Sequence, residues 1–319
     1  MKGALADYLA ARATGEPLQA AAPDVETRRR LEALGYIQGG SADEVEIREE
    51  LNGGGVAPQD RVQRTSEISR VKDLLTRREA LGARELAQQL VREDPDSPYY
   101  LQLLASAEAQ LGRFDEAIAL LERQAAVEGE QRAPGALLEV ARLMVQAGRD
   151  EQALVQLEHV RSMEETVEGL YLLGSVAMDL GRSDEAADAF EAVLRHDEDH
   201  GPSLVDLGIL RAAEGRSGEA AELLQRAVAA DPYSPKCRFN LGVSLLDQGR
   251  PMKAAEQFER AADLAPDYLI AYRAAGVAYL RAGDREAALG ALGRLEGRAP
   301  DSSEVAELRG FLELEEGTE

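Results

Sequence analysis

The chain has no tryptophan, one cysteine, three histidines and few aromatic side chains, 4% of its 319 residues. With Cys237 alone, no intrachain disulfide can form, so the fold must hold by apolar burial. Basic residues are also short: 36 against 59 acidic, a net charge of −23. Such a field repels phosphate backbones and anionic headgroups, so nucleic acid and membrane surfaces are not expected partners. No run approaches the ~20 apolar residues of a membrane span. The opening residues carry one early cation, Lys2, and Asp7 interrupts their only apolar stretch. Without a secretory signal or membrane segment, the expected location is the cytoplasm. What is abundant is Ala, Leu, Glu and Arg, a helix-forming composition with little strand-forming material.

The dominant pattern is a period. Gly112, Gly148, Gly181, Gly215, Gly249 and Gly283 recur at intervals of about 34 residues. Five positions after each stands an alanine: Ala117, Ala153, Ala186, Ala220, Ala254 and Ala288. Nine positions after each stands a large apolar side chain: Leu121, Leu157, Phe190, Leu224, Phe258 and Leu292. So sustained a period predicts an array in which each unit buries its core against its neighbours.

Each unit reads as two helices. The first carries apolar residues at helical spacing and ends at the periodic glycine, which suits a left-handed C′ position. An acidic-Ala start such as Asp184-Glu185-Ala186 opens the second, favouring the positive end of its dipole. Pro232, Pro266 and Pro300 close the later units, since proline cannot continue a helix. Gly174, Gly208, Gly242 and Gly276, with Ala105 and Ala141 earlier, predict close helix crossings.

These residues resemble the tetratricopeptide repeat family. Unit 201–234 carries the motif most fully: Leu204, Leu207-Gly208, Gly215, Ala220, Leu224, Ala227 and Pro232. Units 235–268, 269–302 and 167–200 follow it closely. Units 98–133 and 134–166 lack Leu-Gly, and Glu108 stands where the family has an aromatic or apolar residue. Residues 64–97 read as a degenerate first repeat whose Gly82 is four positions out of phase. The resemblance implies an all-α fold, a right-handed α-solenoid of about seven helix-turn-helix repeats over 64–302. Residues 303–319 then form a C-terminal capping helix, with Ser303 as N-cap, an acidic outward face and an acidic tail.

Residues 1–63 read as a separate helical and linker segment. Ala4–Ala11 and Asp24–Leu34 are candidate short helices, Ser41–Glu44 a capping box, and Gly53-Gly54-Gly55 with Pro58 a hinge. The run Glu26–Tyr36 resembles the segment that follows the catalytic domain in bacterial sulfatase-like proteins with tetratricopeptide tails. That resemblance implies the regulatory or assembly tail of such a hydrolase. The alternative reading is an ordinary charged N-terminal helix.

Chemistry is sparse. His196 and His200 flank Asp197, Glu198 and Asp199, but the stretch falls on a turn and lacks further His or Cys to complete a metal shell. The triglycine lacks the Lys-Ser/Thr of a phosphate loop, and no serine or cysteine has a nucleophile's context. No metal, no cofactor and no enzymatic activity are expected.

The resemblance places function on a concave groove lined by the first helices, which binds extended or helical segments of other proteins. By helix phase, the groove residues are Tyr171, Ser175, Val205, Ile209, Lys236, Phe239, Asn240, Val243, Ile270, Arg273 and Val277. Val205 and Ile209 replace two positions of the family's carboxylate clamp, so the expected partner is a protein segment with apolar anchors. Lys236 and Arg273 would give the groove a basic edge suited to acidic residues. The alternative is that several of these side chains pack against the next repeat.

Overall fold

The computed structural model describes residues 58–129 and 132–316. The chain divides into two units, Met1–Ser66 and Glu67–Glu319, and the repeat array lies in the second. The expected features at Ala4–Ala11, Glu26–Tyr36, Ser41–Glu44 and Gly53–Gly55 lie outside the described residues, as does the end of the acidic tail.

Every described element is a helix. They are α1 (Pro58–Thr76), α2 (Ala80–Glu93), α3 (Pro98–Gln110), α4 (Phe114–Glu128) and α5 (Pro134–Gln146). There follow α6 (Asp150–Met163), α7 (Val167–Asp179), α8 (Ser183–His196), α9 (Gly201–Ala213) and α10 (Ser217–Ala230). The last five are α11 (Pro235–Asp247), α12 (Pro251–Leu264), α13 (Leu269–Arg281), α14 (Arg285–Arg298) and α15 (Ser303–Glu316). Each helix from α2 to α14 packs on its neighbours in sequence, and α15 packs on α13 and α14. This is an all-α solenoid.

The turns inside the repeats share one backbone mechanism. Gly112, Gly148, Gly181, Gly215, Gly249 and Gly283 have φ between 69° and 76°. In each, the glycine N–H reaches back three positions and the next N–H reaches back five. At the first of these turns, Gly112 N–H donates to Ala109 O and Arg113 N–H to Glu108 O, both at 2.9 Å. That pairing satisfies carbonyls the helix end would leave open. The turn one repeat before Gly112 does the same without glycine: Arg78 has φ 59°, with Arg78 N–H to Leu75 O and Glu79 N–H to Leu74 O. Arg78, one period before Gly112, is therefore the in-phase turn residue. Gly82, read from the sequence as a displaced turn glycine, lies inside α2.

The core follows the period. Ala117, Ala153, Ala186, Ala220, Ala254 and Ala288 are fully buried, and the large side chains one helical turn later are at most 9% exposed. The glycines of the first helices make room for those large side chains. A Cβ at Gly174 would stand 2.5 Å from Phe190, and one at Gly208 would stand 2.9 Å from Leu224. Gly276 is different: its hollow is filled by Leu308 of α15, which a Cβ would meet at 2.6 Å. Helix α15 thus seals the last repeat by inserting a side chain into it. Its N-terminal N–H donor, Val305, pairs with Ser302 Oγ at 3.4 Å, so the cap is Ser302 and not Ser303.

Glu108, the departure from the family pattern, is buried at 4% exposure. Arg84 Nε of the preceding repeat donates to its carboxylate at 2.7 Å, and Arg113 approaches at 3.5 Å. A buried carboxylate requires such partners, and here the pair ties one repeat to the next.

Candidate protein-binding face

The face of the first helices is built by stacking α3, α5, α7, α9, α11, α13 and α15, so residues one period apart form rows. One row runs Ser106, Arg142, Ser175, Ile209, Val243, Val277, Phe311. Its early members are polar and its last four apolar. Val243 is 37% and Phe311 42% exposed; Ile209 and Val277 are half-buried. The polar part opens into a cleft of about 310 Å³ between α3 and α5, with Ala105, Ala109, Leu121 and Leu143 at its base and Gln102, Ser106, Gln110, Glu139, Arg142 and Gln146 around them. The Gln102 and Gln146 carboxamides there can pair with a main chain, while Gln110 already donates to Leu75 O and the apolar part of the row can only bury hydrocarbon.

The structure brings some predicted groove residues together and removes others. Val205 is 3% exposed and sits in one apolar cluster with Cys237 and Leu241 of the next first helix. Covered by α11, it cannot line a groove. Phe239 is half-buried, its ring 5.2 Å from that of Phe258 and 5.3 Å from that of Tyr268. It packs on the second helix of its own repeat and on the residue that precedes α13. Tyr171 is likewise held: its ring lies 5.2 Å from that of His200, and its hydroxyl donates to Asp206 Oδ2 at 3.0 Å. Burial, then the Asp206 charge, pushes that phenol above its ordinary range. Asn240 Nδ2 donates to Lys236 O one turn back, and Ile270 is half-buried.

The expected basic edge is neutralised. Lys236 Nζ lies 3.6 Å from Asp206 Oδ1, and Arg273 lies 3.1 Å from Glu307 of α15. Arg142 bonds Glu168 on α7 and reaches Glu139 at 3.3 Å. Asp206, 9% exposed, therefore links Tyr171 of α7 to Lys236 of α11 across three successive first helices. Each of these cations has a carboxylate partner on a neighbouring first helix, and Lys236 keeps most of its side chain in solvent.

Helix-phase reasoning misses Phe311, because it treats the residues after 302 as an acidic cap. The signal is nonetheless present: one period beyond Gly276-Val277 stands Gly310-Phe311. The outward side of α15 also carries Leu314, 71% exposed, so it is not the uniformly acidic face expected.

The two histidines of the acidic turn have structural neighbours. His196 Nε2 lies 3.5 Å from Glu165, and His200 caps α9 by accepting from Ser203 N–H at 3.3 Å. Among the described residues no group of three or more His, Cys, Asp or Glu is placed to hold a metal ion. No described helix is long and apolar enough to cross a membrane.

The paired helices, left-handed turns and buried Ala-large layers define a repeat solenoid. The tetratricopeptide repeat model matches residues 69–136, 171–235 and 239–310, and the chain belongs to that family. No curated protein sequence matches it. Among solved structures it resembles the C-terminal part of a repeat protein from Cytophaga hutchinsonii, with a TM-score of 0.63 and 16% identity over 76% of this chain and 98% of that one. It is also similar to YrrB, described as a repeat protein with an unusual peptide-binding site. The TM-score there is 0.51, with 20% identity over 59% of this chain and 96% of that one. MamA from Desulfovibrio magneticus RS-1 gives a TM-score of 0.50 and 22% identity, covering 55% and 99%. At these identities the likeness is one of fold.

Proposed function

We propose that this chain is a non-catalytic interaction scaffold that binds a segment of another protein along the first-helix face. The observation that carries the reading is the row Ile209, Val243, Val277, Phe311, four apolar side chains one period apart, each of which keeps part of its surface in solvent. Apolar side chains repeated one period apart, on a chain of net charge −23, are places where a partner's anchors can be desolvated. The cleft between α3 and α5, with the Gln102 and Gln146 carboxamides at its rim, suits the main chain of an extended continuation of that segment. The peptide-binding site ascribed to YrrB, on the same fold, supports this use of the solenoid. The reading as a hydrolase tail rests on residues 26–36 alone, outside the described residues.

The test is capture by immobilised full-length chain, read by quantitative mass spectrometry, against the variant carrying Val243→Asp and Val277→Asp. Proteins bound by the row should be lost from the variant while its helical circular dichroism is kept. Equal capture by both would move the binding surface elsewhere.

A further inference from the structure

Fifteen residues before each periodic glycine stands the residue that precedes a first helix. In three units it is a hydroxyl residue, Ser97, Thr166 or Ser234, which accepts a backbone N–H three residues on, at 3.4, 3.1 and 3.2 Å. Ahead of α9 the same position is His200, whose Nδ1 accepts from Ser203 N–H at 3.3 Å. That bond carries the cap. Pro202 has no N–H, so Ser203 alone offers a donor among the second and third helical positions. Ser203 has no exposed surface, so its N–H depends on an acceptor within the protein. The imidazole is also held from the side, its ring 5.2 Å from that of Tyr171 on α7.

We propose that His200 is a proton-operated latch at the junction of units 167–200 and 201–234, closed with a neutral imidazole and open with a protonated one. A hydroxyl oxygen accepts at any pH, whereas Nδ1 accepts only while it keeps its lone pair. Protonation makes Nδ1 a second donor facing the Ser203 N–H. It also sets a positive charge at the positive end of the α9 dipole. Nδ1 lies 2.9 Å from Ser203 Oγ, and an imidazolium can donate there, but the Ser203 N–H still loses its acceptor. The surrounding groups do not replace it. On the same turn Asp197, Glu198 and Asp199 are exposed, and Asp197 Oδ1 accepts from Asp199 N–H. From α8, His196 lies against Glu165; from α10, Arg226 donates to Glu198 O. Tyr171 of α7 and Lys236 of α11 are both engaged by Asp206 of α9. Opening the latch therefore frees the first turn of α9 and the ring contact that begins this chain across three first helices.

Amide hydrogen exchange of the full chain, read by NMR, tests this at about pH 7.5 and about pH 5, either side of the ordinary imidazole range. With intrinsic exchange rates divided out, protection of the Ser203 amide should fall roughly fivefold at the lower pH, the value of one cap. The Cys237 amide, capped by Ser234, should keep its protection. His200→Ser restores a hydroxyl cap and should hold Ser203 protected at both pH values. His196→Gln should leave the wild-type response intact, which separates the latch from the neighbouring imidazole. NMR shifts of the His200 ring nitrogens should show Nδ1 unprotonated at the higher pH. Equal Ser203 protection at both pH values overturns the proposal, as does a fall that persists in His200→Ser. A matching fall at Cys237 overturns it too, since the loosening would then be general to the chain. So does a proton found on Nδ1 of the neutral ring.

Discussion

A Cβ on Gly242 would stand 2.6 Å from Cε1 of Phe258, a ring with no exposed surface. Atoms cannot share that distance, so the glycine is required by packing and not by backbone conformation. Gly310 on α15, also inside a helix, faces open space: a Cβ there would meet nothing within 4 Å.

The two glycines should therefore respond oppositely to alanine. Gly242→Ala should cost about 1–3 kcal/mol because the buried ring must move. Gly310→Ala should gain roughly 0.5–1 kcal/mol from helix propensity alone. Urea unfolding of both variants checks the signs; equal effects would show that the socket is not tight.

Arg78 holds the left-handed turn conformation that glycine holds in the six later turns. For an L-residue with a Cβ that conformation costs about 1 kcal/mol. Arg78→Gly should thus raise stability by about that amount, less some gain in unfolded-state entropy. Calorimetry of the variant would reveal it, and a lower melting temperature would mean that the Arg78 side chain contributes more than its backbone costs.

Phe239 and Val243 lie one turn apart on α11 with different roles. Phe239→Ala removes ring contacts to Phe258 and Tyr268 and should cost about 2 kcal/mol, below the fully buried value because the ring is half-exposed. Val243→Ala should stay within about 0.5 kcal/mol. Chemical denaturation of the two single variants distinguishes core from surface; similar losses would place Val243 in the core as well.

Tyr279 on α13 has its phenol pushed up to about 12, first by burial and then by the nearby Glu259 charge. Its neutral form is favoured in the folded chain. The corresponding stability is complete below the ordinary phenol range, near 10, and is lost as pH rises through about 12. With no tryptophan to obscure it, tyrosinate absorbance can be followed directly. The difference between wild type and Tyr279→Phe should titrate near 12; a difference near 10 would show an exposed, unburdened hydroxyl.

The sequence by itself determined the pairing of helices, the six glycine turns and the buried alanine and large apolar positions. Those features are local: a left-handed glycine, an acidic first turn and helical spacing act within one unit, and repetition multiplied the signal. Tertiary structure alone decided which first-helix side chains stay open. Val205 and Ile209 are one turn apart on α9, yet the first is covered by α11 and the second is half-exposed. Tyr171 and Asp206 meet across a full repeat. Lys236 and Arg273, cations in sequence, become neutralised links between helices. Exposure and charge at those positions depend on the distance to a neighbouring helix one repeat away, and no periodicity within a helix encodes that distance.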